Sequence, residues 1–134
     1  MSDINNAFVL ITSGVFIPEY LISNVEVVGK DVVVNTDDFG RLAPQPAKYV
    51  SDLSIARIER NWKQACAYPW APSTPIAISP RRIERARSII RISDATGGAI
   101  ISMYDGNLYS QIISNTPFSR FLDFFANQLK KDVD

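Results

Sequence analysis

The sequence contains no histidine. Histidine is the usual general acid or base at neutral pH and a common ligand of transition metals, so its absence removes Ser-His-Asp, Cys-His and histidine–metal schemes together. Carboxylate, lysine and tyrosine chemistry remain open. The sequence therefore favours a protein that is not an enzyme and predicts no catalytic residue, cofactor or metal site.

The sequence also has only one cysteine, no net charge and no long apolar run. The single cysteine, Cys66, excludes a disulfide within the chain and fits a reducing compartment. Fourteen basic and fourteen acidic residues cancel, so no overall field attracts nucleic acid or an anionic membrane. No apolar run approaches the roughly 18 residues of a membrane span, and no signal peptide is indicated. We expect a cytoplasmic protein, or a virion protein if it is a phage component, with no membrane partner and with nucleic acid disfavoured as a partner.

The chain is long enough to bury a core as a single globular domain, residues 1–134. No internal repeat or low-complexity tract divides it. Two hairpins are indicated, at 25–35 and 99–113, with helical patterns between and after them. The predicted fold class is α+β: a mainly antiparallel sheet built from these hairpins, with two or three helices packed on it.

The first part of the chain predicts strands. Residues 7–13 form a continuous apolar run typical of a strand buried on both faces. Residues 25–35 predict a half-buried hairpin that turns at Gly29-Lys30. Its inner face holds four valines: Val25, Val27, Val32 and Val34.

Three helices are suggested. The first spans about 51–66, with Ser51 as its N-cap and a buried stripe of Ile55, Ile58, Trp62, Ala65 and Cys66. The second starts at Ser79-Pro80 and gives way to a strand over 88–93. The last starts at Thr116-Pro117 and buries Phe118, Phe121, Leu122, Phe125 and Leu129.

The second hairpin turns at Asp105-Gly106 in this prediction. Pairing outward from a two-residue turn sets Met103 opposite Leu108, with Ile101 opposite Ser110 and Ala99 opposite Ile112. That face is the predicted core. The other face carries Tyr104 and Tyr109, which suit either a contact surface for a partner or an aromatic pair within the domain. Both interpretations stay open.

Arginines crowd into residues 81–91. On a helix, Arg81, Arg82 and Arg85 would share the exposed side. The cluster could neutralise acids within the fold, bind an acidic protein partner, or bind phosphate. Because the net charge is zero, phosphate is the weakest of the three.

Two further segments invite functional interpretations. Tyr68 and Trp70 stand beside prolines spaced every third residue, so this stretch is either an exposed polyproline ligand or a stiff crossover. Asp37-Asp38-Phe39-Gly40 contains adjacent carboxylates but is more typical of a turn than of a metal site.

These observations favour a non-catalytic protein–protein interaction module, a subunit of a larger assembly such as a phage tail, a virion or a secretion machine. Its partners would be copies of itself or other subunits. The candidate contact residues are Arg81, Arg82, Arg85, Tyr104, Tyr109, Tyr68 and Trp70. The alternative is a small soluble inhibitor, such as an immunity protein that neutralises a toxin.

Overall fold

The computed structural model describes residues 7–36, 48–67, 74–104 and 108–133, with side chains up to residue 125 in the last helix. In these ranges lie two α-helices, α1 (Ile55–Ala67) and α2 (Phe118–Val133), and ten strands. The strands are β1 (Phe8–Thr12), β2 (Val15–Pro18), β3 (Ile22–Val28), β4 (Asp31–Thr36), β5 (Lys48–Ser51), β6 (Pro75–Ser79), β7 (Arg82–Arg85), β8 (Ile89–Ala95), β9 (Gly98–Tyr104) and β10 (Tyr109–Ser114). The strand pairs are antiparallel, and the predicted α+β class is confirmed.

The strands form three sheets, of which the five-stranded one combines strands from both halves of the chain. A five-stranded sheet has the order β1-β2-β8-β9-β10, a three-stranded sheet the order β3-β4-β5, and β6 and β7 form a two-stranded ribbon. The hairpin β1–β2 of the first half therefore pairs, through β2, with β8 of the second half.

The element order occurs twice. A hairpin, a 3₁₀ turn, three strands and a helix follow one another in 8–67 and again in 75–133. A shift of 67 residues, from 8 to 75, brings the bounds of β1, β2, the first turn (Glu19–Leu21) and β3 onto those of β6, β7, the second turn (Ala86–Ser88) and β8. We call the hairpins arm 1 (β1–β2) and arm 2 (β6–β7). The remaining strands and the helix of each half are body 1 (β3–β5, α1) and body 2 (β8–β10, α2).

Hydrogen bonds recur at equivalent places in the two repeats. The pairs are Glu19 N to Ala7 O with Ala86 N to Thr74 O, and Ser51 Oγ to Ile11 O with Ser114 Oγ to Ile78 O. The prediction of no internal repeat concerned the sequence, whereas this repeat is one of element order. Between 8–36 and 75–103, the equivalent residues are identical only at Ile11/Ile78 and Ile22/Ile89, so what repeats is the order and the bounds of the elements and not the sequence.

Each body has its own apolar core beneath its helix. Ile22, Val34 and Ile58 lie in the core of body 1, together with Val9 and Ile11 of arm 1. The core of body 2 contains residues from both arms and from α2: Ile76, Ile78, Phe8, Phe16, Phe118, Phe121 and Phe125, with the body strands contributing Ile89, Ile92 and Ile101. Because a fully buried isoleucine or phenylalanine contributes about 1.5–3 kcal/mol, these two cores account for most of the favourable burial.

The hairpin predicted at 25–35 is confirmed in position and register. Val25 pairs with Val34 and Val27 with Val32, as the alternation requires. Gly29 has φ of 63°, in the left-handed region that glycine adopts without steric cost.

The hairpin predicted at 99–113 forms with a different register. Tyr104 pairs with Tyr109 and Ile101 with Ile112, two residues away from the expected pairing. A shift of two keeps each side chain on its predicted face, because strand side chains alternate with a period of two. The register places Ser114 where its Oγ can donate to Ile78 O, a tertiary contact that local turn rules do not include. The expected turn at Asp105-Gly106 lies outside the described residues.

The helix predicted from Ser79-Pro80 is wrong. Residues 75–85 form arm 2, in which Ile76 and Ile78 alternate into the core, and the chain then passes through the second 3₁₀ turn. The apolar spacing of Ile83 and Ala86 suited a helix, but these residues belong to different elements. The strand predicted at 88–93 is confirmed as β8.

The other two helices form close to their predicted bounds. Ser54, not Ser51, caps α1, since its Oγ accepts a bond from Arg57 N at 3.1 Å. The phenylalanine stripe of α2 is buried at Phe118, Phe121 and Phe125, whereas the side chain of Leu129 lies outside the described residues.

Candidate interaction surfaces

Arm 2 carries Arg81, Arg82 and Arg85, the three arginines that the sequence indicates as candidate contact residues. Arg81 lies in its turn, and Arg82 and Arg85 lie at the two ends of β7; all three are exposed. A helix would have placed them on one side, but residues three apart on a strand point to opposite faces. Arg82 Nε donates to Glu84 Oε2 at 2.6 Å, a surface pair that stabilises the fold by at most about 1 kcal/mol. The prediction that the three arginines share one face is therefore wrong, and Arg82 and Arg85 lie on opposite faces of a basic strand, β7.

Ile83 lies between these arginines and is 67% exposed. It pairs across the arm with Ala77, and Pro75 and Ala77 on the same outer face are exposed too. The sequence predicted Ile83 in a buried helical stripe, which the structure contradicts. A shallow groove lined by Pro75, Ile83, Glu84, Arg85 and Ser88 runs along this end of the molecule.

The outer edge of β7 is a possible site for strand addition. Among the described residues β7 pairs with β6 only, and β3 pairs with β4 only. An edge strand presents a row of backbone donors and acceptors that can pair with another chain. Sequence reasoning missed this edge because it placed β7 in a helix; the alternation of Ile76 and Ile78 before the Pro80 turn was the available signal.

The tyrosine face is partly internal. Tyr104 and Tyr109 are half-buried and pack against the core of body 1. They lie directly opposite each other in the ladder, so they also form a cross-strand pair. The most exposed apolar side chain on this face is Ile113, at 79%. A contact role for the two tyrosines stays a prediction.

A polar cluster lies beside these tyrosines. Arg91 donates through Nη2 to Ser102 Oγ at 3.2 Å and through Nη1 to Tyr49 Oη at 3.3 Å. Gln111 Nε2 also donates to Ser102 Oγ at 3.3 Å. Ser102 is fully buried and receives donors, so its hydroxyl is held as an acceptor. This arrangement connects body 1 to body 2 through Tyr49. Because the Ser102 hydroxyl is held as an acceptor, it suits a structural role better than the role of a nucleophile.

The pKa shifts of the titratable groups give little indication of a functional site. Cys66 was predicted to be buried, but it is exposed at the end of α1. Partial desolvation and the nearby Glu19 carboxylate raise the pKa of its thiol, which reduces the reactive thiolate. Burial raises the pKa of Tyr20 to about 12, so that phenol stays protonated.

The hydrogen bonds that Asp52 accepts from the backbone N and the Oγ of Ser13 lower the pKa of that carboxyl. These bonds connect the turn of arm 1 to body 1. In the described ranges, no group of three or more Cys, Asp or Glu residues could hold a metal ion, and no helix is long and apolar enough to cross a membrane.

Three predicted features fall outside the described residues. They are Tyr68, Trp70 and the Asp37-Asp38-Phe39-Gly40 segment.

Comparison with protein-family models, with curated proteins and with solved structures finds no match to this chain.

Proposed function

We propose that this protein is a non-catalytic protein–protein interaction module that acts as a subunit of a larger assembly, such as a phage tail, a virion or a secretion machine. The observation that carries the proposal is the open edge of β7 with the exposed Ile83 beside it. Natural proteins usually shorten, cover or charge such edges, because an open edge pairs readily with other strands. Here a large apolar side chain accompanies the edge, which favours a partner that covers both.

The charges around Ile83 suit recognition of a protein. Arg82 and Arg85 flank it on β7, and arginine combines an apolar stem with a fork that pairs with carboxylates. Charged residues at the rim of an interface guide association and fix register more than they add affinity. A partner with acidic residues beside an apolar patch would match this surface. The site of action would be the cytoplasm, or the virion if the protein is a phage component.

The alternative is a small inhibitor, such as a toxin-neutralising immunity protein. The exposed arginines of arm 2 support it, because an inhibitor needs one charged face that matches its target. The two functions differ in stoichiometry: an inhibitor forms a closed complex with one target, whereas an assembly subunit occurs in many copies.

Affinity purification from the native cells tests the proposal. A tagged wild-type chain should purify in a stoichiometric complex of high mass, and Ile83→Asp should lose it. Ile113→Asp is the matched control, because Ile113 is equally exposed but lies on β10, at the far edge of the five-stranded sheet. Complexes that survive Ile83→Asp would show that β7 is not the contact surface. A chain that purifies alone would contradict the assembly function, and a closed complex with one other protein would support the inhibitor.

A further inference from the structure

The contact between the two repeats runs in one direction. Arm 1 of the first repeat adds its strand β2 to β8 of the second, with Val15 opposite Ser93 and Phe16 opposite Ile92. If the repeats were related by a closing two-fold axis, β7 would pair with β3 in the same molecule. In the described residues it does not, because β6 and β7 form a separate ribbon. The contact between the repeats is therefore head-to-tail. Within the described part of a single chain, the equivalent contact between β7 and β3 is not made.

Among the described residues, the two edges that correspond to this contact but lack the equivalent strand partner are those of β7 and β3. The 67-residue shift makes β7 equivalent to β2, and β3 equivalent to β8. It places Arg82 opposite Glu26 and Ile83 opposite Val25, in the positions that Val15–Ser93 and Phe16–Ile92 occupy within the chain. An Arg82–Glu26 pair brings opposite charges together across the outer face, which fixes the register.

The exposure of the apolar residues follows this scheme. In the filled junction Phe16 is 4% exposed, and its ring lies 5.5 Å from that of Phe118 and 4.8 Å from that of Phe125. The equivalent of Phe16 at the empty end is Ile83, which is 67% exposed.

The helix that faces the added strand, α2 in the contact within the chain and α1 in its equivalent, shows the same difference in exposure. From Ser51 to Ser114 the equivalence is a shift of 63 residues, so Ile55 and Trp62 correspond to Phe118 and Phe125. Ile55 is 41% exposed and Trp62 is half-buried, whereas Phe118 and Phe125 are buried. Apolar residues are thus more exposed at the positions whose equivalents the contact between the repeats buries.

We infer that a second copy of this chain docks here, adding its β3 antiparallel to β7 with Arg82 opposite Glu26 and Ile83 inserted between Ile55 and Trp62. Repetition of the contact yields a ring if the rotation closes and a filament if it does not. This inference rests on the proposed function and names its partner. The close approach at Gly14, whose added Cβ would lie 3.2 Å from Asp94 Cβ, is not retained, because Arg81 is the equivalent residue; the intermolecular strands sit a few tenths of an ångström wider there.

Disulfide trapping tests the register. Asp94 N donates to Gly14 O at 2.7 Å, so the adjacent Val15–Ser93 pair is of the non-hydrogen-bonded kind, whose Cα separation suits a disulfide. In a Cys66→Ser background, Val15→Cys/Ser93→Cys is the positive control and should give a disulfide-linked monomer. Glu26→Cys mixed with Arg82→Cys should give a covalent dimer, and the double variant Glu26→Cys/Arg82→Cys a ladder of oligomers. Glu26→Cys mixed with Arg60→Cys is the negative control, since Arg60 is exposed on α1 and has no position in the proposed strand ladder.

Each outcome decides the inference. A ladder that is lost on adding Ile83→Asp but kept with Ile113→Asp supports it. A double variant that closes into a disulfide monomer would overturn it, because β7 would then pair with β3 of its own chain. Absence of any cross-link, with the positive control formed, would overturn it as well. In either case a native complex sensitive to Ile83→Asp would leave the proposed function standing with a different partner.

Discussion

Replacing Phe16 by alanine measures what the junction between the repeats contributes to stability. Phe16 is 4% exposed, and its ring meets that of Phe125 edge-on at 4.8 Å. Truncation of a buried phenylalanine costs about 3–5 kcal/mol, which includes the cavity left behind. We expect a loss in that range, because the strand that carries Phe16 and the helix that faces it are both held by other contacts and cannot close the gap.

Ile83→Ala is the matched control, since Ile83 occupies the equivalent position in the second repeat. At 67% exposure its truncation should change the free energy of unfolding by no more than about 0.5 kcal/mol. The two variants therefore separate a filled junction from an empty one within a single chain.

Equilibrium urea unfolding at low protein concentration is the assay, because dilution keeps separate copies apart. Phe16→Ala should lower the midpoint at unchanged slope and lower the melting temperature by roughly 10–20 °C. A loss for Ile83→Ala as large as that for Phe16→Ala would refute the reasoning, because Ile83 would then be buried within the monomer.

Three further predictions concern positions that hold the bodies together. Ser114→Ala should cost about 1–3 kcal/mol and Ser51→Ala less, because only Ser114 is fully buried; equal values in urea unfolding would contradict this. Gly98→Ala should cost more than about 2 kcal/mol, since its Cβ would lie 1.9 Å from the backbone oxygen of Ser114; a neutral result in thermal melts would refute that contact. The carboxyl of Asp52 has a lowered pKa in the folded state, so its contribution is present above the ordinary aspartate pKa of 3.8 and is lost as pH falls through the folded value; acid unfolding of Asp52→Asn should lack that component, and an unchanged acid profile would contradict it.

Local patterns in the sequence determined most of the secondary structure. The alternating valines around Gly29 placed the first hairpin in its observed register, and the phenylalanine spacing of α2 identified its buried face. These features depend on neighbours within a few residues, where the periods of strand and helix act directly. The absence of histidine was likewise readable at once.

Predictions from local patterns were wrong where contacts between residues distant in sequence determine the structure. The arginine-rich segment after Pro80 has helical apolar spacing, yet it pairs as a strand because Ile76 and Ile78 fill the core of body 2. The register of the second hairpin depends on Ser114 reaching Ile78, 36 residues away. Neither contact has a signal in the segment that it controls.

The candidate site could be predicted in composition but not in arrangement. Arg82 and Arg85 were identified from the sequence, whereas the exposed Ile83 between them was assigned to a core. The sequence by itself determined the α+β class, the first hairpin, the two helices and the lack of histidine chemistry. Only the tertiary structure decided that the chain is two interlocked repeats, each with an edge strand that lacks a further strand partner among the described residues. The reason is that the equivalent residues of the two repeats are almost all different, so the repeat is preserved only in the order and bounds of its elements.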